Sequence, residues 1–283
     1  MLQYTGLATQ AKYELYHQRL CHCGKRKMDI IHKHIQGLPQ LKGNAFHLCQ
    51  SCIYGKQIRR AMQAAHQRFQ GTTTNDEEID WFDLTSPVEN PDALQPGEMF
   101  HMDFGFPRGQ NFYSKEEYGR LITSTDGHRA YLLIIDRKTR YIWVVTTKHK
   151  LPPCEAVTKF LEIHGRKTGR RILRTDRGGE LWGSLKFQET ISNAGYLMEP
   201  TAPGAPFQNG LTERPNQTLG NYMQCMLHGA NLGPEFWPYA LTHAVRIYNM
   251  LPHSVTKQTP YFNLTGLHPT TEWLRMFGCR YYA

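Results

Sequence analysis

From residue 99 onward, short β-branched and aromatic runs alternate with stretches of helical periodicity, and that order leaves few folds open. MFHMDFGF (99–106) reads as a strand. AYLLIID (130–136) and YIWVVTT (141–147) flank DRKTR and read as a hairpin. CEAVTKFLEIHGRK (154–167) places Val157, Phe160, Leu161 and His164 at helical spacing. RILRTD (171–176) is a short buried strand, with a helix expected near 181–193 and another short strand at 195–199. The Pro/Gly-rich TAPGAPFQNG (201–210) reads as a loop. A long helix is expected from about Thr212, an N-cap residue type, with Leu219, Tyr222, Met223 and Met226 on one face. The order βββαβαβα implies an α/β fold, a mixed sheet with helices packed on its faces.

That order also places acidic residues. Asp103 lies inside the first strand, Asp176 ends the fourth, and Glu213 opens the long helix. At about 100° per residue, Glu213 sits roughly 130° from the centre of the helix's apolar stripe and faces outward. If the first and fourth strands are neighbours, the three carboxylates can converge at one edge of the sheet. Carboxylate oxygens suit Mg²⁺ or Mn²⁺, and two such ions can carry out phosphoryl transfer by activating the attacking and leaving oxygens. Spacing alone leaves the ordinary alternative open, in which these acids are solvated or paired with arginine.

A second constellation lies upstream. His17 and His22 have four residues between them, Cys49 and Cys52 have two, and 26 separate the pairs. Two nitrogens and two thiolates make the closed tetrahedral set of a structural Zn²⁺ site. The two histidines can face one way if YELYHQRLCH is helical. Cys21, Cys23, His32, His34 and His47 are competing ligands. A segment with so few apolar residues is expected to depend on zinc to fold.

Charge divides the chain further. Residues 71–98 hold eight acids and no Lys or Arg, so the remainder carries 33 basic against 16 acidic residues. An excess of that size suits a polyanion, nucleic acid before membrane, although it also aids solubility. No apolar run approaches the roughly 20 residues that span a bilayer, and the first 20 residues have no signal-peptide core. Seven cysteines in an apparently intracellular chain read as thiols or metal ligands rather than a disulfide framework. Cys154, Cys225 and Cys279 are expected to be buried thiols, and Trp143, Trp237 and Tyr248 core residues.

Taken in order, HMDFGFP, LLIIDRKTRY, RTDRGGE and QNGLTERPNQTL resemble the integrase core of copia-type LTR retrotransposons. The 36 residues between Asp176 and Glu213 are close to that family's D,D-35-E spacing. YHQRLCH followed by CQSCIYGKQIRR resembles the zinc-binding region before that core, and TPYFNLTGLHPTTEWLRMFGCRYYA the segment after it. Tyr16 replaces the usual Trp, Cys21 the usual Gly, and Arg177 the Asn that usually follows the second Asp. The resemblance implies an RNase H-like fold: a zinc-binding domain over 11–70, an acidic linker over 71–98, a catalytic core over 99–260, and the start of a post-core segment over 261–283. It implies Mg²⁺ or Mn²⁺ on Asp103, Asp176 and Glu213, Zn²⁺ on His17, His22, Cys49 and Cys52, and joining of element DNA 3′ ends into target DNA. It further implies a multimer acting on double-stranded DNA in the nucleus after a cytoplasmic particle stage, released from a larger polyprotein.

Candidate DNA contacts are Lys56, Arg174, Arg177, Asn216 and Gln217. Further basic clusters are Arg59, Arg60 and Arg68; Arg137, Lys138 and Arg140; and Arg166, Lys167, Arg170 and Arg171. Two other functions remain open at this level. One is a nuclease of RNase H type. The other is a DNA-binding protein derived from an integrase, for which Arg177 beside a metal carboxylate is the argument.

Overall fold

The computed structural model describes residues 12–41, 49–56, 94–108, 121–176, 180–201 and 206–279, with the side chains of 206–209 and 273 excepted. Arg177, His47, the clusters at Arg59–Arg68, and most of the acidic stretch fall outside them. The last part of that stretch belongs to the fold: Leu94 is buried and Glu98 faces Arg166 at 3.9 Å.

Five strands form one sheet: β1 (Met99–Gly105), β2 (Ala130–Asp136), β3 (Ile142–Thr147), β4 (Ile172–Thr175) and β5 (Leu197–Pro200). Their spatial order is β3-β2-β1-β4-β5, antiparallel from β3 to β1 and parallel from β1 to β5. This is the mixed sheet that the element order implied, in the RNase H-like arrangement that the resemblance implied. At the hairpin, the Asp136 carboxylate accepts from Thr139 N–H, Thr139 Oγ1 and Gly97 N–H at 2.7–2.9 Å, which closes the turn and ties it to the chain entering β1.

Strand alternation sends the two halves of β1 to opposite faces. Phe100, Met102 and Phe104 pack with Val157, Phe160 and Leu161 of α4 (Cys154–His164) and with Phe187 and Ile191 of α5 (Leu185–Asn193). Ser184 caps α5 by accepting from Phe187 N–H. On the other face Tyr131, Leu133 and Ile135 meet α6 (Pro206–Gly229) and α7 (Trp237–Met250). Leu219, Tyr222, Met223 and Met226 of α6 are buried there, as their spacing suggested.

The start of α6 differs from the sequence reading. Pro206 begins the helix, so 206–210 are helical rather than loop, and Thr212 is a buried helical residue rather than the N-cap. Proline at the first position costs no hydrogen bond, because the N–H it lacks would have no intrahelical partner. The Pro/Gly-rich composition therefore marks a helix entry, and Glu213 sits in the third turn of α6 rather than its first. Cys279 is exposed rather than buried, and Cys154 is half-buried.

The N-terminal segment adds a helix at 12–19 (α1), α2 (Lys25–Ile30) and α3 (Gln50–Gly55). Leu20, Met28, Ile31 and Ile35 do not make a core of their own; they join the cluster of α6 and α7. Short α8 (Pro260–Thr265) precedes Leu274, buried in that same cluster, and a bridge pairs Gln36 with Thr270. Among the described residues no helix is long and apolar enough to cross a membrane.

Candidate active site and metal centre

The register sets the carboxylates. Met102 of β1 pairs with Thr175 of β4, so Asp103 and Asp176 are the next residues along two adjacent parallel strands. Asp103 faces the α6 side of the sheet, and α6 brings Glu213 to it. The proximity shows in the electrostatics. Asp103 is pushed up to about 6, first by burial and then by the charge of Asp176, with a smaller push from Glu213. Glu213 is exposed and Asp176 half-buried, which leaves the cluster open to solvent on one side.

Asn216, one turn after Glu213 and named above as a candidate DNA contact, is half-buried against Asp103. Its Nδ2 donates to Asp103 Oδ2 at 3.0 Å, and its Oδ1 accepts from the Tyr131 hydroxyl at 3.1 Å. The side chain has its amide fixed at both ends, so α6 and β2 together orient the Asp103 carboxylate. Tyr131 reaches this position because its strand partner is Gly105: a Cβ there would lie 2.1 Å from the ring. Nothing in the periodicity of AYLLIID separates Tyr131 from an ordinary core aromatic. Gln217 is exposed, as expected of a surface contact.

The His/Cys cluster assembles from three pieces. His17 comes from α1, and His22 lies just past its end with φ of 57°, so the two are not on one helical face. Cys49 caps α3 and Cys52 lies within it. Their ligand atoms all fall within 4.8 Å of one another, and among the described residues no other group of three or more such side chains does so. His17 Nε2 is 3.2 Å from Cys52 Sγ, and His22 Nδ1 is 3.3 Å from Cys49 Sγ. Two nitrogens and two sulfurs at these separations fit the tetrahedral donor set of zinc.

Two of the competing ligands have other partners. Cys21 Sγ donates to Met226 Sδ at 3.2 Å, and His34 Nδ1 lies 3.3 Å from Gln258 Oε1. The buried Cys23 thiol is pushed up to about 12 by burial. The Lys56 ammonium donates to the His22 carbonyl at 2.5 Å and braces the cluster.

Cys225 of α6, placed by sequence only among buried thiols, abuts the site. Its thiol hydrogen bond heads the causes that hold Cys52 far below the ordinary thiol range, with His17 and His22 contributing further. Gly55 permits this approach, since a Cβ there would lie 2.6 Å from Cys225 N. Tyr54 stacks on His228 with ring centroids 4.6 Å apart. The His/Cys cluster is thus seated on the helix that carries Glu213 and Asn216.

Residues 4–57 match the GAG-pre-integrase domain. The Retrovirus-related Pol polyprotein from transposon TNT 1-94 of Nicotiana tabacum is 28% identical over 273 residues, 95% of this chain and 18% of its own length. The chain is similar to such Pol polyproteins over nearly its whole length. The counterpart from transposon RE2 of Arabidopsis thaliana is 31% identical over 57% of this chain and 11% of its own length. The chain therefore spans less than a fifth of the curated relatives it matches. Among solved structures, a chain of the simian T-cell lymphotropic virus intasome in complex with PP2A regulatory subunit B56 gamma aligns with a TM-score of 0.45 and 16% identity, covering 61% of this chain and 55% of that one. The HTLV-2 integrase catalytic core with magnesium, in a trimeric form, aligns with a TM-score of 0.41 and 18% identity, covering 60% and 98%.

Proposed function

We propose that this Pol homologue is an integrase that joins the 3′ ends of retroelement DNA into target DNA at Asp103, Asp176 and Glu213. The observation that carries the reading is that Asp176, at the end of β4, and Glu213, on α6, lie near enough to act on the charge of Asp103, which Asn216 holds in place. In the reaction a 3′-hydroxyl oxygen attacks a target phosphorus in line. The bond from that phosphorus to the target 3′ oxygen breaks, and the proton lost by the attacking hydroxyl ends on the departing oxygen. Mg²⁺ or Mn²⁺ held by the three carboxylates would polarise the phosphate and ease ionisation of the attacking hydroxyl. The chain's own contribution is orientation: Tyr131 fixes Asn216, and Asn216 presents Asp103 Oδ2 in one position. The raised value of Asp103 leaves its carboxylate mostly ionised at neutral pH, the form that binds a cation.

His17, His22, Cys49 and Cys52 would hold zinc, which would tie α1 to α3. The net positive charge of the chain supports double-stranded DNA as the partner, and the same reading places the protein in the nucleus as a multimer.

The test is joining of a labelled oligonucleotide carrying an LTR end to plasmid DNA with Mg²⁺ or Mn²⁺. Joined products that disappear in Asp176→Asn support the proposal. Cleavage without joining would assign a nuclease, and DNA binding with neither would leave a binding protein.

A further inference from the structure

Two residues before Asp103 on the same face of β1 is His101, which is 2% exposed with no hydrogen-bond partner for its Nε2. The register surrounds it with cations. Arg174 is its direct partner on β4, and Arg137 follows the end of β2, its N–H donating to Met99 O. Alternation along β1 and β4 puts the His101 and Arg174 side chains on the α6 face, and Arg137, in the turn after β2, lies near enough for its charge to act on both. Neither Arg137 Nε nor Arg174 Nε has a partner, although both atoms are buried. Among the described residues the one acid that meets this row is Glu199 of β5, whose Oε2 lies 2.8 Å from Arg174 Nη2. That contact uses one edge of one guanidinium and leaves the Arg137 fork without an ion pair among the described residues.

Grouping two guanidinium groups over a buried, unpartnered imidazole is unfavourable unless an anion completes it, because buried donors without acceptors lose their hydration uncompensated. The row lies one two-residue repeat, about 7 Å, from Asp103 and Asp176 along the strands. That distance is comparable to the spacing of successive phosphates on one DNA strand. Arginine forks match phosphate oxygens in a bidentate manner, and a DNA strand reaching the carboxylates lays a neighbouring phosphate at this distance.

We infer that Arg137 and Arg174, with His101 beneath them, form a phosphate site that grips the DNA backbone beside the reacting phosphodiester. This rests on the integrase reading for the identity of the strand, while the site itself stands on the row's geometry. It changes the part assigned to the hairpin arginines. Arg137 is not one charge in a diffuse surface cluster but half of a clamp that sets how far the strand enters.

The experiment measures binding of the whole chain to a fluorescent duplex oligonucleotide across a range of KCl concentrations, for the wild type, Arg137→Gln, Arg137→Lys and Arg174→Gln. Loss of one phosphate contact should weaken binding and lower the slope of log K against log[salt] by about 1. Arg137→Lys keeps the charge and should keep the slope while binding more weakly than the wild type. Single phosphates of the duplex are then replaced by neutral methylphosphonates. At one position the wild type should lose about tenfold in affinity, and Arg137→Gln should lose nothing further there. Folded variants with wild-type slopes, or no position that falls silent in Arg137→Gln, would overturn the site. Binding of inorganic phosphate that depends on Arg137, with DNA binding that does not, would also overturn it by assigning the row to a free anion. The joining assay run on the same samples separates the two proposals. A chain whose DNA binding depends on Arg137 but which joins nothing loses only the integrase reading, and one that joins with unchanged slopes loses only this site.

Discussion

Replacing Asp103 with Asn should stabilise the metal-free protein while removing its response to Mg²⁺. In the folded chain the Asp103 carboxyl sits at about 6, raised from 3.8 by burial, Asp176 and Glu213. A folded value above the unfolded one means that the native state favours the protonated form. The group's favourable contribution is complete below about pH 4 and is lost as pH rises through 6. At 1.36 kcal/mol per pKa unit, ionised Asp103 costs the fold at most about 3 kcal/mol at pH 7.5. Solvent access on the open side reduces this to about 1–3 kcal/mol. Asparagine has nearly the same shape, still offers an oxygen to Asn216 Nδ2, and carries no charge. Asp103→Asn should therefore melt about 3–8 °C higher at pH 7.5 without Mg²⁺ or Mn²⁺, with the gap narrowing toward pH 5. Zinc-loaded wild type and variant, followed by circular dichroism, provide the measurement, and changes in the shared zinc centre cancel in the difference. Added Mg²⁺ should raise the melting temperature of the wild type alone. A variant that melts at or below the wild type at pH 7.5, or a gap that stays constant with pH, would refute the electrostatic account.

Tyr131→Phe deletes the donor to Asn216 Oδ1 in a buried setting and should cost about 1 kcal/mol of stability, read by urea titration. Because the loosened group is Asn216, joining should fall several-fold, with the larger effect at low Mg²⁺. Gly55→Ala forces a methyl group into the Cys225 backbone and should destabilise by about 1–3 kcal/mol, checked by thermal melting. Removing zinc with a chelator should uncouple α1–α3 from α6 and expose the apolar residues they cover, seen as increased binding of a hydrophobic dye. Cys52→Ser should do the same without chelator, whereas Cys279→Ser, at an exposed position, should not.

The strands and the metal-ligand sets were legible because each leaves a local signature. AYLLIID and YIWVVTT are buried runs whose hairpin follows from the residues between them, and the His/Cys spacing is a ligand count in itself. The start of α6 was not legible, because Pro206 and Gly210 read as breakers unless the first turn of a helix is known to begin there. The seating of α3 on α6 was invisible for another reason. Cys52 and Cys225 are separated by more than half the chain, and a thiol that touches a zinc ligand looks in sequence like any buried cysteine. His101 and Arg174 lie on β1 and β4 and Arg137 in the turn after β2, so only the pairing of the strands brings them together. Asn216 was noticed from its place after Glu213 but read as a DNA contact, and its bond to Asp103 was missed, since helical geometry gives the direction of a side chain and not the partner that meets it.

Helix α6 carries Glu213 and Asn216 near one end and Cys225 and Gly229 near the other. Twelve residues separate Glu213 from Cys225, about 18 Å of continuous helix at 1.5 Å per residue. The N-terminal segment is therefore a lid on the apolar side of α6 rather than an attachment that can be trimmed. A shortened protein beginning at β1 would leave Met226 and its neighbours facing water along the rod that holds Glu213. Such a piece would keep every carboxylate and lose the wall that keeps them in register, so its inactivity would say nothing about the chemistry of the whole.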